Sequence, residues 1–519
     1  MSSVRSVLYI WLPCKKVYPV GLTYLAHHVH QHHPEVQQKI LDLSLIPKRK
    51  RRENLLKTVG DFNPDLILFS WRDIQVFAPH EGDASLKYAF NFYYSQNPIK
   101  RIGASLKGLQ FLLSYYKGIR ENLSYPWQIH RHFPEKKMMI GGGAFGVFAE
   151  QLIQRLPEGT IGILGEGEGA VLKMVEGKDL SDERYILRRG KEVIKGDRQN
   201  YFPVEGMVLN LPYLSSIFPE YPAYQNDNIG IQTKRGCPYD CQFCEYPYLE
   251  GRQVRYRPPV DVIADLRQHY ELWGNRRFWF TDAQFITGRE AYPQCTEMLE
   301  RIIREGFDIE WSGYVRTSMI TRDLAKLMVR SGVGDLEVSI TSGSQKVINE
   351  LHMGFSVEKL YEGCRYLKEA GFTGKLILNY SLNSPGDSEE GLLQSVGSYR
   401  KIAGIMGEER VFPTLFFLGV QPHTGFEQRL IDEGYLYQGY NPLSLNPLAI
   451  KKMLYNPQPL SKIIAKACLK AWDEKETSLK KSGIHSDGSH YADENLYQSV
   501  MKDSGREALL QIENIIKGK

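Results

Sequence analysis

The sequence predicts an α/β protein of two successive parallel-sheet units, a doubly wound sheet followed by a partial (β/α)6 barrel, with a helical extension at its C-terminal end. Three observations predict it. Short apolar runs alternate with helix-patterned segments in two separate series. Glycine clusters end the runs of the first series, where such sheets bind ligands. The first run of the second series ends in a cysteine-rich loop, RGCPYDCQFC. A chain of 519 residues is also too long for one ordinary domain.

The first series consists of SVLYI (6–10), KILDLSLI (39–46), DLILFS (65–70), KMMIGG (137–142) and TIGILGEGEG (160–169), and its unit is expected to occupy residues 1–180. Gly141, Gly142, Gly143, Gly165, Gly167 and Gly169 allow backbone to approach a large planar or phosphate-bearing ligand, although tight turns alone also explain such clusters. His27, His28, His30, His32 and His33 crowd the first helix; consecutive side chains point apart, so a solvated face is expected rather than a ligand set. The crossover at 72–135 is longer than one helix requires, and its aromatic density predicts an ordered helical insertion. KRKRRE (48–53) reads as a solvated helix start; with no aromatic-basic module beside it, no nucleic-acid partner is expected.

Residues 181–228 read as a linker with a possible hairpin, YILRRGKEVIKG. The second series follows: IGIQTK (229–234), RFWFTD (277–282), DIEWSGY (308–314), DLEVSIT (335–341), KLILNYSL (375–382) and RVFPTLFFL (410–418). These six units form the expected barrel over 229–435, with chemistry at the carboxyl ends of its strands. Residues 436–519 form an extension that is a candidate cap for the barrel mouth. Within it, His485, Asp487 and His490 read more simply as a polar loop than as a metal cluster.

The chemistry centres on Cys237, Cys241 and Cys244, spaced C-x3-C-x2-C. Three thiolates can hold one corner of a four-iron cube and leave its fourth iron open to a ligand. A structural zinc site more often shows two separated C-x2-C pairs, and no second pair exists. The other four of the seven cysteines are scattered, so no disulfide framework is expected. The net charge of +5 is a small excess for this length. No run of eighteen apolar residues and no leader-like start is visible, so a cytoplasmic protein without a membrane span is expected.

With Phe243 before the third thiol and RGCP around the first, the loop resembles that of the radical SAM superfamily. Ahead of it, YPVGLTYLA, IGGG and GEGE, in that order, resemble the Rossmann-like cobalamin-binding domain of the cobalamin-dependent members; the likeness covers residues 5–430. The resemblance implies three cofactors: a 4Fe-4S cluster on the three cysteines, S-adenosyl-L-methionine on its open iron, and cobalamin. It implies S-adenosylmethionine contacts at Phe243, Asp282, Ala283, Arg316, Ser342 and Gly343, with Thr341 standing where the family usually has glutamate. It implies cobalamin contacts at Pro19, Gly21, Ser70, Trp71, Gly141, Gly142, Gly143, Gly165, Glu166, Gly167 and Glu168. No D-x-H-x-x-G loop is present, so cobalt is expected to lack a histidine from that motif.

The activity implied is methylation of an unactivated carbon or phosphorus of a small-molecule intermediate, through a 5′-deoxyadenosyl radical and methylcobalamin. A low-potential donor of the flavodoxin or ferredoxin type would supply electrons, and no side-chain acid or base is strictly needed. Two alternatives remain open at this level. One is a radical oxidative cyclase or rearrangement enzyme acting on a tetrapyrrole-like or other intermediate. The other is a non-catalytic cobalamin or redox sensor, disfavoured by the open iron.

Overall fold

The computed structural model describes residues 4–14, 16–72, 84–198, 201–444, 446–481 and 504–518. The first sheet has the order β2-β1-β3-β4-β5-β6-β7. Its strands are β1 (Ser6–Trp11), β2 (Gln37–Asp42), β3 (Leu66–Ser70), β4 (Lys137–Gly141), β5 (Ile161–Ile163), β6 (Arg184–Arg189) and β7 (Glu192–Asp197). Strands β1 to β5 pair in parallel, and their crossovers cover both faces. Because alternate side chains leave a strand on opposite sides, Val7, Tyr9 and Trp11 enter one core and Leu8 and Ile10 the other. The hairpin expected in the linker instead joins this sheet: β6 pairs antiparallel with β5 and β7 with β6. The first sheet therefore continues to Asp197, past the expected boundary at 180.

The second sheet is a six-strand parallel array in sequential order, β15-β14-β13-β12-β11-β8. Its strands are β8 (Ile229–Ile231), β11 (Arg277–Phe280), β12 (Glu310–Tyr314), β13 (Val333–Thr341), β14 (Leu376–Ser381) and β15 (Val411–Phe416). Between β8 and β11 a short antiparallel ribbon, β9 (Lys234–Arg235) with β10 (Arg255–Tyr256), brackets the cysteine loop. This is the partial (β/α)6 barrel expected from the apolar runs.

A buried polar knot ties the two sheets together. Arg257, fully buried, donates to Asp265 Oδ2 at 2.8 Å and to Tyr24 Oη at 2.8 Å, and Tyr24 in turn donates to Asp265 at 3.0 Å. Asp265 also accepts the Leu209 N–H at 2.7 Å. Helix Val20–His32 of the first unit, the connection and helix Pro259–Trp273 of the barrel thus meet on one carboxylate.

The histidine-rich helix is not a solvated face. His27 and His28 are buried, Asn210 N–H donates to His27 Nδ1 at 3.2 Å, and His30 stacks on Tyr213 with centroids 3.5 Å apart. The connection runs over this helix and covers it. The crossover insertion forms helices Ala84–Tyr94 and Pro98–His132. The extension contributes helices Leu460–Lys481 and Gly505–Ile516. Its second helix lies along edge strand β15, where a Cβ on Gly505 would meet Pro413 O at 2.0 Å. Its first helix reaches the insertion through a Phe90–Trp472 stack, at 5.6 Å, and a Lys87–Glu476 ion pair. Residues 453–457 cross the ends of β14 and β15, as Val420 N–H donates to Met453 O and Asn383 to Asn456 and Pro457. His485, Asp487 and His490 lie outside the described residues. No described helix is long and apolar enough to cross a membrane.

Candidate cofactor site at the facing strand ends

The cysteine loop leaves the ribbon strand that follows β8. Gly236 opens it with φ +88°, and a Cβ there would collide with Gln253 O at 2.2 Å, so only glycine fits. Cys237 N–H donates to Gly251 O at 3.0 Å, and Cys244 N–H to Cys241 O at 3.1 Å. The helices that follow β13 and β15 brace the loop: Gln242 N–H donates to Leu351 O, and Gln242 O accepts from Phe426 N–H at 2.8 Å. Arg316, at the end of β12, donates to Cys241 Sγ at 3.1 Å and to Met353 O at 2.6 Å, and its guanidinium lies 3.5 Å from the Tyr239 ring centroid. Burial raises the pKa of all three thiols, and for Cys241 the Arg316 charge works against that rise.

Among the described residues no three His, Cys, Asp or Glu side chains converge as one metal ion requires. An iron-sulfur cube takes each thiolate on a separate iron, so its ligands need not meet at one point. The donor set, three thiols on one short loop, fits such a cluster.

Above the loop lies a cavity of about 280 Å³ built from both sheets. The first unit contributes Gly21, Ser70, Gly141, Gly142, Gly143, Gly165, Glu166, Gly167 and Glu168 to its wall. The barrel contributes Gln232, Arg235, Leu249 and Glu250, which flank the cysteines in sequence. A Cβ placed on Gly21 would meet nothing within 4 Å. These side-chain-free rims fit a broad, flat ligand such as a corrin, lying across the carboxyl ends of β3, β4 and β5.

The two glutamates hold the units together as well as lining this wall. Glu166 takes both ends of the Arg255 guanidinium and accepts the Phe202 N–H at 2.8 Å; Glu168 accepts from Arg235 at 2.6 Å. Ser70 and Trp71 part company because they are adjacent on a strand. Ser70 lines the cavity, whereas Trp71 joins Phe69 and Ile67 in the core on the opposite face. Trp71 O accepts from Ala144 N–H, and a Cβ on Gly142, at φ +96°, would meet that oxygen at 2.5 Å. Trp71 therefore shapes the glycine turn rather than the cavity. Pro19 is also absent from the wall; it caps helix Val20–His32, accepting from Leu22 N–H and Thr23 N–H.

In the barrel, Phe243 and Ala283 are half-buried. The Asp282 side chain is turned inward. It accepts from Thr233 N–H at 2.8 Å and from Lys234 Nζ at 3.0 Å, with both charged side chains almost fully buried. Burial works against the Lys234 charge, but Asp282 holds its pKa above the ordinary value. The carboxylate is thus closed off from a ligand, leaving only backbone at this strand end. Ser342 and Gly343 face helix Glu389–Met406, where Ser342 Oγ lies 3.2 Å from Ser395 Oγ and Gly343 N–H donates to that same oxygen at 3.0 Å. A side chain on Gly343 would strike Gln394 O at 2.3 Å. Thr341 holds φ +63° and leaves its buried Oγ1 without a hydrogen-bond partner, an unusual state for a β-branched residue.

Glu250 escaped the sequence reading. It lines the cavity, accepts Gly236 N–H at 3.0 Å, and burial pushes its carboxyl up to about 7. Its only sequence signal is position, six residues after Cys244. Glu337 on β13 was also missed; it accepts from Asn379 of β14 at 3.3 Å on the half-buried inner side of the barrel.

Residues 231–396 match the model of the radical SAM superfamily. The chain is similar to the hopanoid C-2 methylase of Rhodopseudomonas palustris (strain TIE-1), 25% identical over 275 residues that cover 50% of this chain and 48% of the relative. It spans about half the length of the curated relatives it matches. Its fold is similar to that of TsrM, a radical S-adenosylmethionine methyltransferase from Kitasatospora setae solved with tryptophan substrate and aza-SAM bound. The identity is 16%, the alignment covers 83% of this chain and 76% of that one, and the TM-score is 0.62. It is likewise similar to the cobalamin-dependent S-adenosylmethionine radical enzyme OxsB with aqua-cobalamin bound, at 12% identity, 98% and 72% coverage and a TM-score of 0.64. Residues 231–396 are therefore a radical SAM domain, set in a two-unit fold similar to those of TsrM and OxsB.

Proposed function

We propose that the protein is a cobalamin-dependent radical SAM methyltransferase acting on a carbon or phosphorus atom of a small molecule. The observation that carries the reading is the shared cavity: its wall joins the glycine rims of the first sheet to Arg235, Leu249 and Glu250 beside the cysteine loop. Methylase and methyltransferase names among the relatives support the same choice.

In this reading Cys237, Cys241 and Cys244 hold the cluster, and the glycine rims with Ser70 seat the corrin. When bound, the cluster with S-adenosylmethionine supplies the radical chemistry and cobalamin the methyl carrier. The chain's own residues orient and exclude water. Arg316 fixes the loop through Cys241, Leu249 presses against Gly146 and Gly165 to close the wall, and the half-buried Glu250 anchors Gly236. The inner barrel pair Glu337 and Asn379 offers a polar hold for substrate. A flavodoxin or ferredoxin type donor and a cytoplasmic setting suit a thiolate-held cluster.

The test is turnover with S-adenosylmethionine labelled at its methyl group, under anaerobic conditions with a low-potential reductant. The reading expects label on the product and near-equal amounts of 5′-deoxyadenosine and S-adenosylhomocysteine. A product of unchanged carbon count, formed with 5′-deoxyadenosine and no S-adenosylhomocysteine, would move the assignment to a cyclase or rearrangement enzyme.

A further inference from the structure

The insertion helix Pro98–His132 carries a line of apolar side chains that the rest of the described molecule leaves uncovered. Ile99, Ile102, Leu106, Leu109, Leu113 and Tyr116 are 79%, 64%, 61%, 56%, 49% and 37% exposed. Alternating steps of three and four residues set them on one face, over a length of about 27 Å. The same spacing continues through Arg120, Ser124, Trp127 and Arg131, which line a groove of about 420 Å³. Arg52, His132 and Arg155 complete that groove, and no carboxylate contributes to it. The Arg120 guanidinium lies 5.4 Å from the Tyr116 ring centroid, where the stripe passes into the groove.

Charge narrows the occupant. Residues 98–120 hold Lys100, Arg101, Lys107, Lys117 and Arg120 and no Asp or Glu. A second copy docked stripe to stripe would set like charges together. Nucleic acid would meet the arginines but gain nothing from exposed Ile and Leu, which offer no ring to stack on. A helix that is apolar on one face, basic beside it and too polar to span is suited to lie in the plane of an anionic bilayer surface. We propose that this face docks the protein on a membrane containing anionic phospholipid, with the stripe at the acyl boundary and the arginine groove on lipid phosphates. The arrangement does not depend on the proposed methyl transfer.

The experiment is co-sedimentation of the full-length, cofactor-loaded protein with sucrose-loaded vesicles. One set is phosphatidylcholine, the other phosphatidylcholine mixed with phosphatidylglycerol. Binding to the mixed vesicles is expected to exceed binding to the neutral ones by on the order of tenfold and to weaken with salt. The exposed-site double variants L106S/L109S and R120Q/R131Q should each reduce it by on the order of tenfold. Both should keep the wild-type melting temperature and cobalamin content. The proposal is overturned by equal or absent binding to the two vesicle sets, or by variants that bind like wild type. It is also overturned if light scattering finds a dimer that L106S/L109S dissolves, or if single-stranded RNA or inorganic phosphate displaces the protein from vesicles.

Discussion

Cys241 shows how much of the barrel converges on a few atoms of the cysteine loop. Its thiol accepts from Arg316, whose other nitrogen reaches Met353 O, while neighbouring Gln242 is held by Leu351 and Phe426, from the helices that follow β13 and β15. Changing Cys237, Cys241 or Cys244 to Ala should abolish S-adenosylmethionine cleavage, because too few protein thiolates remain for the cube. Ala at Cys14, Cys295, Cys364 or Cys468 should leave iron per chain unchanged, since these thiols lie outside the loop, three of them buried in cores. Arg316→Ala should lower iron content without abolishing it, because the loop keeps its backbone braces. Iron and sulfide analysis of the reconstituted variants reads all of these. The thiols were legible in the sequence because their spacing is itself the chemistry. Asp282 and Trp71 were not: each stands at the right strand end, but strand parity and a local partner decide which way a side chain turns. Lys234 draws Asp282 inward, and Trp71 follows Phe69 into the far core.

At the scale of elements, helix Val20–His32 both lines the cavity and touches the barrel. Breaking its buried link by Asp265→Ala would strand the Arg257 charge and should cost about 3–5 kcal/mol. Chemical denaturation reads this as a lower midpoint, and an unchanged midpoint would show that the knot does not hold the units together. The same helix predicts acid sensitivity. Burial lowers His27 and His28 to about 4, and His269, in the barrel helix it faces, to about 3. Their folded pKa values lie below the ordinary 6.5, so between these limits the unfolded chain binds more protons than the folded one. Stability from these neutral rings is fully present above that value and is lost as pH falls toward 4. Melting temperature should therefore fall between pH 7 and pH 5, and His28→Phe should flatten the slope; an equal slope in the variant would contradict the assignment. This burial is not legible in the sequence, because the residues that cover the helix come from a connection whose own pattern is irregular.

For the whole molecule, the order of apolar runs was enough to read both sheets, since buried parallel strands need continuous Val, Ile and Leu. The placing of the hairpin was not legible: β6 and β7 read as an independent pair until the open edge of β5 accepts them. Nor was the path of the C-terminal helices, which is set by contacts with β15 and with an insertion far away in sequence. What the fold adds is one shared cavity between the glycine rims and the residues that flank the cysteine loop. The most direct test of that space is pulsed electron paramagnetic resonance on protein loaded with cob(II)alamin, comparing cluster-free and cluster-reduced samples. The account predicts that the reduced cluster strongly shortens the relaxation time of the cob(II)alamin signal, because the two centres share one cavity. Identical relaxation in the two samples, with both cofactors bound in full, would contradict it.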